Sequence, residues 1–189
     1  LGLSLVHFVF ERILSRRWLQ AREKSSMDLL TGGLNRPCFE EIVEEEMRRC
    51  NRYHVPLTLC FVDLDDFRSY NESFGRTKGD DLLQKFSDAL RGAVRFTDTV
   101  ARYESDEFCI LLPHTDLVRA EKFVIRVLGI IRDQIDCGFC AGLTSFKPGE
   151  NKTHFIMRAR MALQHAKSEG KQRVRCIIGD DNSQTVVHF

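Results

Sequence analysis

Two short acidic segments carry the side chains best suited to chemistry in this chain of 189 residues. In the first, Asp106 and Glu107 are adjacent in a polar turn between two segments rich in β-branched, aromatic or apolar residues. In the second, an apolar run ends in three acids within four residues, Asp63, Asp65 and Asp66. Carboxylate oxygens are hard ligands that suit Mg²⁺ when it carries the phosphates of a nucleotide. Together the segments predict a cation and nucleotide site at the ends of two neighbouring strands.

Hydrophobic patterning indicates which elements must position these acids. We predict helices over residues 36–53, 66–74, 79–94, 116–134 and 152–169, and strands over residues 57–63, 99–103, 108–112, 137–146 and 173–178. Because helices and strands interleave around a central hairpin, the pattern is typical of one α/β or α+β domain built on a single sheet. We place that domain at residues 28–179 and a polar tail at residues 180–189.

Residues 1–27 are predicted to form an N-terminal signalling or dimerisation helix. Leu3, Val6, Phe10 and Ile13 recur at three- and four-residue spacing, which favours a helix that pairs with a partner. The alternative is the end of a membrane anchor that begins upstream, because arginines and lysines follow the apolar residues as they do on the cytoplasmic side of a membrane span. The apolar run itself is about half as long as a membrane crossing requires.

Composition disfavours some partners and favours one compartment. The formal net charge of +1 provides no general attraction to nucleic acid polymers, so any basic site must be local. The seven cysteines are scattered and odd in number, which favours reduced thiols in a cytoplasmic protein. Cys137 and Cys140 have the spacing of half a zinc site, but no second pair accompanies them, so we disfavour zinc.

Five motifs between Asp28 and Val174 follow one another in a distinctive order. They are DLLTGGLNR at 28–36, DLDDFR at 63–68 with Asn71, FG at 74–75 with GD at 79–80, RYESDEF at 102–108, and AL at 162–163 with AKSEGK at 166–171. This order resembles the GGDEF family, the diguanylate cyclases of bacterial cyclic-di-GMP signalling. The resemblance implies a nucleotidyl-cyclase-like fold in which helices flank a central five-stranded sheet. It also implies condensation of two GTP into cyclic-di-GMP with release of two pyrophosphates, by a homodimer to which each protomer brings one GTP.

The resemblance assigns the two acidic segments to cation binding. It implies that Asp63 and Glu107 bind Mg²⁺ or Mn²⁺ together with the backbone carbonyl of Leu64. Asp106 is implied as a further ligand or as the group that assists deprotonation of the attacking hydroxyl. Asp65, by contrast, is expected to be a solvated carboxylate at the end of the strand.

A second group of residues is implied to bind GTP. Asn71 and Asp80 match the guanine-reading positions of the family, and an amide and a carboxylate offer the donors and acceptors that the edge of guanine requires. Leu30 and Leu83 are implied to form the walls of the base pocket, and Lys167 and Lys171 to neutralise phosphates. Phe67, Arg68 and Arg102 are implied as three further substrate contacts.

Arg95 and Asp98 form an RxxD element shortly before the acidic turn. Its position resembles the inhibitory site of the family, which binds the product cyclic-di-GMP. Arginine can stack on guanine and bond its Hoogsteen edge, while aspartate reads the other edge. Arg49 and Arg126 are candidate helpers.

The acidic turn departs from the family because Glu104 and Ser105 replace two glycines. Glycine permits a positive φ, which serine would adopt at a cost of about 1–2 kcal/mol. Glu104 also adds a negative charge near a negative substrate.

Other departures are lysine for arginine at 171, and Arg76, Arg160 and Gln164 in place of histidine, aspartate and tyrosine. We expect the last three to affect packing more than chemistry. The alternative function is a catalytically silent domain that senses cyclic-di-GMP at the RxxD element or GTP at the former active site. A pure dimerisation or scaffold domain is a third reading.

Overall fold

The computed structural model describes residues 26–135 and 137–178, and the backbone of residues 183–188. The leading helix predicted over residues 1–27 therefore falls almost wholly outside the described residues. The helices are α1 (Arg36–Tyr53), α2 (Phe67–Phe74), α3 (Arg76–Ala93), α4 (Leu117–Arg132) and α5 (Lys152–Ser168). The strands are β1 (Leu57–Leu64), β2 (Thr99–Glu104), β3 (Glu107–Pro113), β4 (Phe139–Ser145), β5 (Arg173–Ile178) and β6 (Ser183–His188). Within this described part of the chain, no helix combines the length and the apolarity needed to cross a bilayer.

One mixed sheet runs through the domain in the order β2-β3-β1-β4-β5-β6. Neighbouring strands are antiparallel except β4 and β5, which are parallel. The first five strands in this order form the predicted sheet, and helices cover both of its faces. The α+β class and the five-stranded core are therefore confirmed.

Strand β6 extends the sheet beyond that prediction. Ser183–His188 pairs antiparallel with β5, although we predicted a polar tail at these residues. The polar residues around it concealed the β-branched run Thr185-Val186-Val187, which favours an extended backbone. The prediction of a tail was wrong for this segment, because its backbone pairs with that of β5, which would otherwise be an open edge.

The side chains of β1 alternate between two separate cores. Cys60 and Val62 pack with residues of α3 and α4 on one face of the sheet. Leu59 and Phe61 pack with residues of α1 and α5 on the other. Because the alternation has a period of two residues, Asp63 continues the second series and lies on the face that α5 covers.

Helix α5 lies very close to the sheet at Gly142 on β4. A Cβ atom built on Gly142 would lie 1.9 Å from the backbone nitrogen of Leu163, so only glycine permits this approach. The helix is also held by its buried Arg158, whose Nη1 donates to Thr144 Oγ1 on β4 at 2.5 Å. The N-cap residue Asn151 accepts a hydrogen bond from the next turn of α5. These contacts fix the position of α5, the helix that places positively charged side chains close to Asp63.

Candidate active site

Asp63 and Glu107 face each other across β1 and β3. They are Cα partners in the antiparallel register, and each residue is less than a tenth exposed, at 7% and 8%. Alternation places both on the face that α5 covers. The structure thus brings together the two acidic segments that the sequence singles out.

Burial makes both carboxylates weak acids. It is the main reason that the pKa of Asp63 is raised to about 6; the Lys167 ammonium opposes it from 2.6 Å, and the charge of Asp106 adds to it. Burial likewise raises the pKa of Glu107, against the opposing charge of Arg160. Two buried acids with raised pKa values at the end of a sheet are typical of a functional site.

The turn between β2 and β3 consists of Ser105 and Asp106 and is held by Arg102. The Nε and Nη2 atoms of Arg102 donate to the carbonyl of Ser105 at 2.8 and 2.6 Å, and its Nη1 donates to Asp28 at 3.2 Å. The structure therefore gives Arg102, which the resemblance implies as a substrate contact, a part in shaping the turn. Neither Glu104 nor Ser105 has a positive φ, so the cost that we predicted for a left-handed serine does not arise.

Glu104 is held between two arginines. Arg36 Nη1 donates to its Oε1 at 2.8 Å, and Arg160 Nη2 donates to its Oε2 at 3.2 Å. The same Arg160 nitrogen lies 3.1 Å from Glu107 Oε2. Sequence reasoning did not count Arg160 among the site residues and expected it to affect packing more than chemistry. It precedes Lys167 by seven residues, about two helical turns, and this spacing is the signal that places both on one side of α5.

The acid pair fits a divalent cation. Glu107 Oε2 is buried and receives no hydrogen bond within the described residues, because the nearby Arg160 nitrogen does not direct a hydrogen at it. The backbone nitrogen of Leu64 donates to the carbonyl of Asp106 at 3.4 Å, which places the Leu64 backbone beside the turn.

A cation bound by Asp63 and Glu107 would take some of its other ligands from a substrate. In the described part of the chain, no three His, Cys, Asp or Glu side chains are grouped so that they could hold a metal ion by themselves. Asp63 and Glu107 would therefore leave coordination positions for phosphate oxygens and water, which is how Mg²⁺ is usually bound beside a nucleotide.

Asn71 and Asp80 stand on the consecutive helices α2 and α3. A Cβ atom on Gly79 would lie 1.8 Å from Asn71 Oδ1, so the glycine makes room for this amide. Asn71 Oδ1 is buried and accepts no hydrogen bond from the described residues, whereas Asp80 is exposed. Within the described residues, the two side chains offer an amide oxygen that accepts no hydrogen bond and an exposed carboxylate beside the junction of the two helices.

The other implied GTP contacts have different environments. Leu83 and Phe67 are buried in the core beneath α3, and Leu30 packs against that core. The Arg68 side chain is 92% exposed and pairs with Glu72 on the next turn of α2. The apolar residues can therefore shape the floor of a pocket, while Arg68 points to solvent.

Lys167 and Lys171 contact different acids. Lys167 on α5 pairs with Asp63, and Lys171, just beyond the end of α5, pairs with Asp66. Asp66 begins α2 with a left-handed φ of 54°, which is uncommon for a residue other than glycine and is frequent at functional turns.

Asp65 differs from our expectation of a solvated carboxylate. It is half-buried, and its Oδ2 accepts a hydrogen bond from the backbone nitrogen of Gln172 at 2.9 Å. The expectation was wrong because the loop after α5 folds back onto the end of β1. Asp65 thereby ties the Lys171 loop to the strand that carries Asp63.

Arg95 and Asp98 lie at a separate pocket between α3 and β2. The backbone nitrogen of Arg95 donates to Asp98 Oδ2 at 2.9 Å, and a cavity of about 260 Å³ adjoins both residues. The guanidinium groups of Arg95 and Arg126 lie 5.8 and 5.4 Å from the ring of Phe123, so Arg126 is close enough to assist. Arg49 is instead paired with acids of its own helix, α1.

Comparison with known proteins identifies the family. The sequence profile described as "Diguanylate cyclase, GGDEF domain" matches residues 25–173. The chain belongs to the GGDEF family. This GGDEF domain is 32% identical over 161 residues to the diguanylate cyclase DgcP of Pseudomonas aeruginosa, a match that covers 81% of this chain and 24% of DgcP. It is 29% identical over 185 residues to the diguanylate cyclase DosC of Escherichia coli, which covers 91% of this chain and 38% of DosC.

A relative with a different activity in its name also matches. The cyclic di-GMP phosphodiesterase NbdA of Pseudomonas aeruginosa is 29% identical over 162 residues, covering 82% of this chain and 21% of NbdA. The GGDEF domain thus spans between 21% and 38% of the length of these three curated relatives.

Solved structures agree with the family. The diguanylate cyclase SiaD of Pseudomonas aeruginosa, solved with its activator SiaC, superposes with a TM-score of 0.79 at 27% identity, covering 93% of this chain and 71% of SiaD. A microbial GGDEF domain studied for its interaction with cyclic di-GMP gives 0.74 at 26% identity, covering 80% of this chain and 99% of that one. The coiled coil and GGDEF domain of DgcB from Caulobacter crescentus gives 0.82 at 21% identity, covering 93% and 97%, which supports the fold.

Proposed function

We propose that this GGDEF domain is a diguanylate cyclase that condenses two GTP into cyclic-di-GMP and releases two pyrophosphates. The observation that carries the proposal is the buried pair of Asp63 and Glu107 on adjacent strands, with Lys167 against it. Membership of the GGDEF family and the diguanylate cyclases among the relatives support the same reaction.

Asp63, Glu107 and the Leu64 carbonyl are the groups that would hold Mg²⁺ or Mn²⁺. Bound there, the cation would polarise the α-phosphate and offset charge that develops on the leaving pyrophosphate. Lys167 and Lys171, both beside strand-end acids, would add positive charge along the triphosphate.

Asp106 would assist the attacking group. The 3′-hydroxyl oxygen of one GTP forms a bond to the α-phosphorus of the other, and the bond to pyrophosphate breaks. Asp106 lies in the turn next to Glu107 and would accept the hydroxyl proton, or bind the cation as a further ligand. The same step repeated on the second pair of groups closes the ring.

Asn71 and Asp80 would select guanine. The Asp80 carboxylate can accept hydrogen bonds from the N1–H and the amino group of guanine, and adenine lacks both donors at that edge. Asn71 Oδ1 is buried and receives no hydrogen bond within the described residues, so the oxygen is available to an amino hydrogen of the base and the amide nitrogen to an acceptor. Leu30 and Leu83 would line the pocket.

The reaction requires two such sites to face each other. Each protomer of a homodimer would bring one GTP, and the helix predicted over residues 1–27 is the segment that would pair the protomers. We place the reaction in the cytoplasm, because scattered cysteines in an odd number are typical of proteins whose thiols stay reduced. A membrane anchor upstream of residue 1 remains compatible with that location.

Incubation with GTP and Mg²⁺ or Mn²⁺, followed by chromatography, tests the proposal. Wild-type protein should form cyclic-di-GMP and pyrophosphate, and Glu107→Gln should lower the rate at least about a hundredfold. Glu45→Gln on the exposed side of α1 is the matched control and should leave the rate unchanged. No product from the wild type, with product restored by Glu104→Gly together with Ser105→Gly, would reject native catalysis.

A silent cyclic-di-GMP or GTP sensor is the second candidate. The observation that favours it is the Arg160 guanidinium beside Glu107, where a cyclase would bind its cation. In that case the protein would bind cyclic-di-GMP at Arg95 and Asp98, or GTP at Asn71 and Asp80, without turnover. Calorimetry that shows binding of either nucleotide by samples that form no product in the GTP assay would support the sensor over the cyclase.

A further inference from the structure

One nitrogen of Arg160 lies between two carboxylates of different character. Arg160 Nη2 is 3.2 Å from Glu104 Oε2 and 3.1 Å from Glu107 Oε2. The Glu104 side chain is 44% exposed, whereas that of Glu107 is 11% exposed. The arginine therefore bridges a carboxylate at the surface and a carboxylate of the cation site.

The two contacts are not equivalent. Arg160 donates a hydrogen bond to Glu104, but it makes no hydrogen bond to Glu107, whose Oε2 is left without a donor in the described residues. The directional bond thus goes to Glu104, while the charge of the guanidinium still acts on Glu107. A cation that enters at Glu107 meets this charge.

Glu104 is fixed from its other side. Arg36 Nη1 donates to Glu104 Oε1 at 2.8 Å, and the Arg36 guanidinium lies over the ring of Tyr103 at 4.5 Å. Arg36 is held in turn by Glu40 on α1, whose carboxylate accepts from Arg36 Nε at 2.8 Å. Glu104 is therefore an anchored acceptor.

We propose that Arg160 is a positioning residue that controls cation binding at Asp63 and Glu107, and that Glu104 is the acceptor that retains it. The guanidinium lies beside Glu107 and competes there with an incoming cation. When a cation binds, Glu104 holds Arg160 away from Glu107. The inference deepens the proposed function, because it rests on the same cation site, and it gives the altered signature residue Glu104 a task that glycine could not perform.

Titration of the full chain with Mn²⁺ alone, with free Mn²⁺ followed by electron paramagnetic resonance, tests the inference. Arg160→Ala should bind Mn²⁺ about tenfold more tightly than wild type, because the competing charge is gone. Glu104→Gln should bind about tenfold more weakly, because a neutral amide holds the Arg160 guanidinium less strongly than a carboxylate does and leaves it at Glu107.

The double variant provides the sharper result. If Glu104 acts through Arg160, Glu104→Gln should have no effect on Mn²⁺ affinity once Arg160→Ala is present. An equal loss in both backgrounds would overturn the inference, since Glu104 would then act on the cation by its charge alone. Unchanged affinity in Arg160→Ala, or no Mn²⁺ binding by any of the proteins, would also overturn it.

Controls separate this effect from folding and from turnover. Arg48→Gln and Glu45→Gln remove an exposed ion pair of α1 and should not alter Mn²⁺ affinity. If Arg160→Ala does not fold by circular dichroism, Arg160→Gln tests the same loss of charge. Mn²⁺ affinities that follow the expected order, without cyclic-di-GMP formation, would support the inference and reject the proposed cyclase. Product formation with unchanged Mn²⁺ affinities would support the proposed cyclase and overturn the inference.

Discussion

Lys167 Nζ lies 2.6 Å from Asp63 Oδ2, so this ammonium group on α5 is the counter-ion of the buried carboxylate on β1. Burial outweighs this ion pair, and the pKa of Asp63 is about 6. The acid therefore changes its charge just below neutral pH.

Cation binding should weaken as the pH falls through about 6. A divalent cation requires the Asp63 carboxylate to be ionised, so below its pKa each unit of pH should lower Mn²⁺ affinity about tenfold. Lys167→Met removes the charge that opposes the raised pKa and should move this decline to higher pH. Mn²⁺ titrations across the range measure it, with Lys78→Met on α3 as the control; a decline that moves to lower pH would contradict the account.

Asp63→Asn should stabilise the protein while it abolishes cation binding. The folded-state pKa of about 6 lies above the ordinary aspartate value of 3.8, so the folded state binds more protons between these values and is less stable when Asp63 is ionised above them. The gain should be at most about 3 kcal/mol near pH 8, because the raised pKa already includes the opposing charge of Lys167, and it should shrink as the pH falls towards 4. Urea unfolding at both pH values measures it. A variant less stable than wild type near pH 8 would show that the ion pair outweighs burial.

Gly79→Ala should reduce the preference for GTP over ATP. The new Cβ would lie 1.8 Å from Asn71 Oδ1 and 3.2 Å from Phe67 Cζ, so the amide must move. We expect about a tenfold loss of GTP affinity, which corresponds to about 1.4 kcal/mol. Gly92→Ala in the same helix meets no atom within 4 Å and is the matched control, because both changes favour the helix similarly. Equal nucleotide preference in the two variants would remove Asn71 from base recognition.

Arg95→Ala should weaken cyclic-di-GMP binding at the RxxD pocket at least about tenfold. The guanidinium is lost, while Asp98, Arg126 and Phe123 remain. Calorimetry with cyclic-di-GMP measures the change, and Arg119→Ala, an exposed arginine paired with Asp116 on α4, is the control. Identical affinities for Arg95→Ala and wild type would place product binding elsewhere.

The place of each acid at the end of a strand could be predicted from sequence, because strand periodicity and hairpin composition are local signals. That Asp63 and Glu107 act together was implied by the resemblance to the GGDEF family, since their strands are distant in sequence. Arg160 could not be placed in the same way. Its position depends on how closely α5 packs against the sheet, and that distance is set by contacts between residues distant in sequence.

The environments of Asp65 and β6 were missed for a related reason. Whether a carboxylate at the end of a strand is solvated depends on the loop that covers it, and here Gln172 comes from more than a hundred residues away. Whether a polar segment joins a sheet depends on an available edge, which β5 provides. Local composition contains neither piece of information.

The contact between Gly142 and α5 shows that the absence of a Cβ atom can matter as much as the presence of a charged group. A related chain could keep every acid, lysine and arginine described above and still have its cations displaced, if a larger residue stood at the position of Gly142. Inspection of the signature motif would judge such a chain competent. Whether a family member with an altered signature is active should therefore be judged from the distance between this helix and the sheet as well as from the signature sequence.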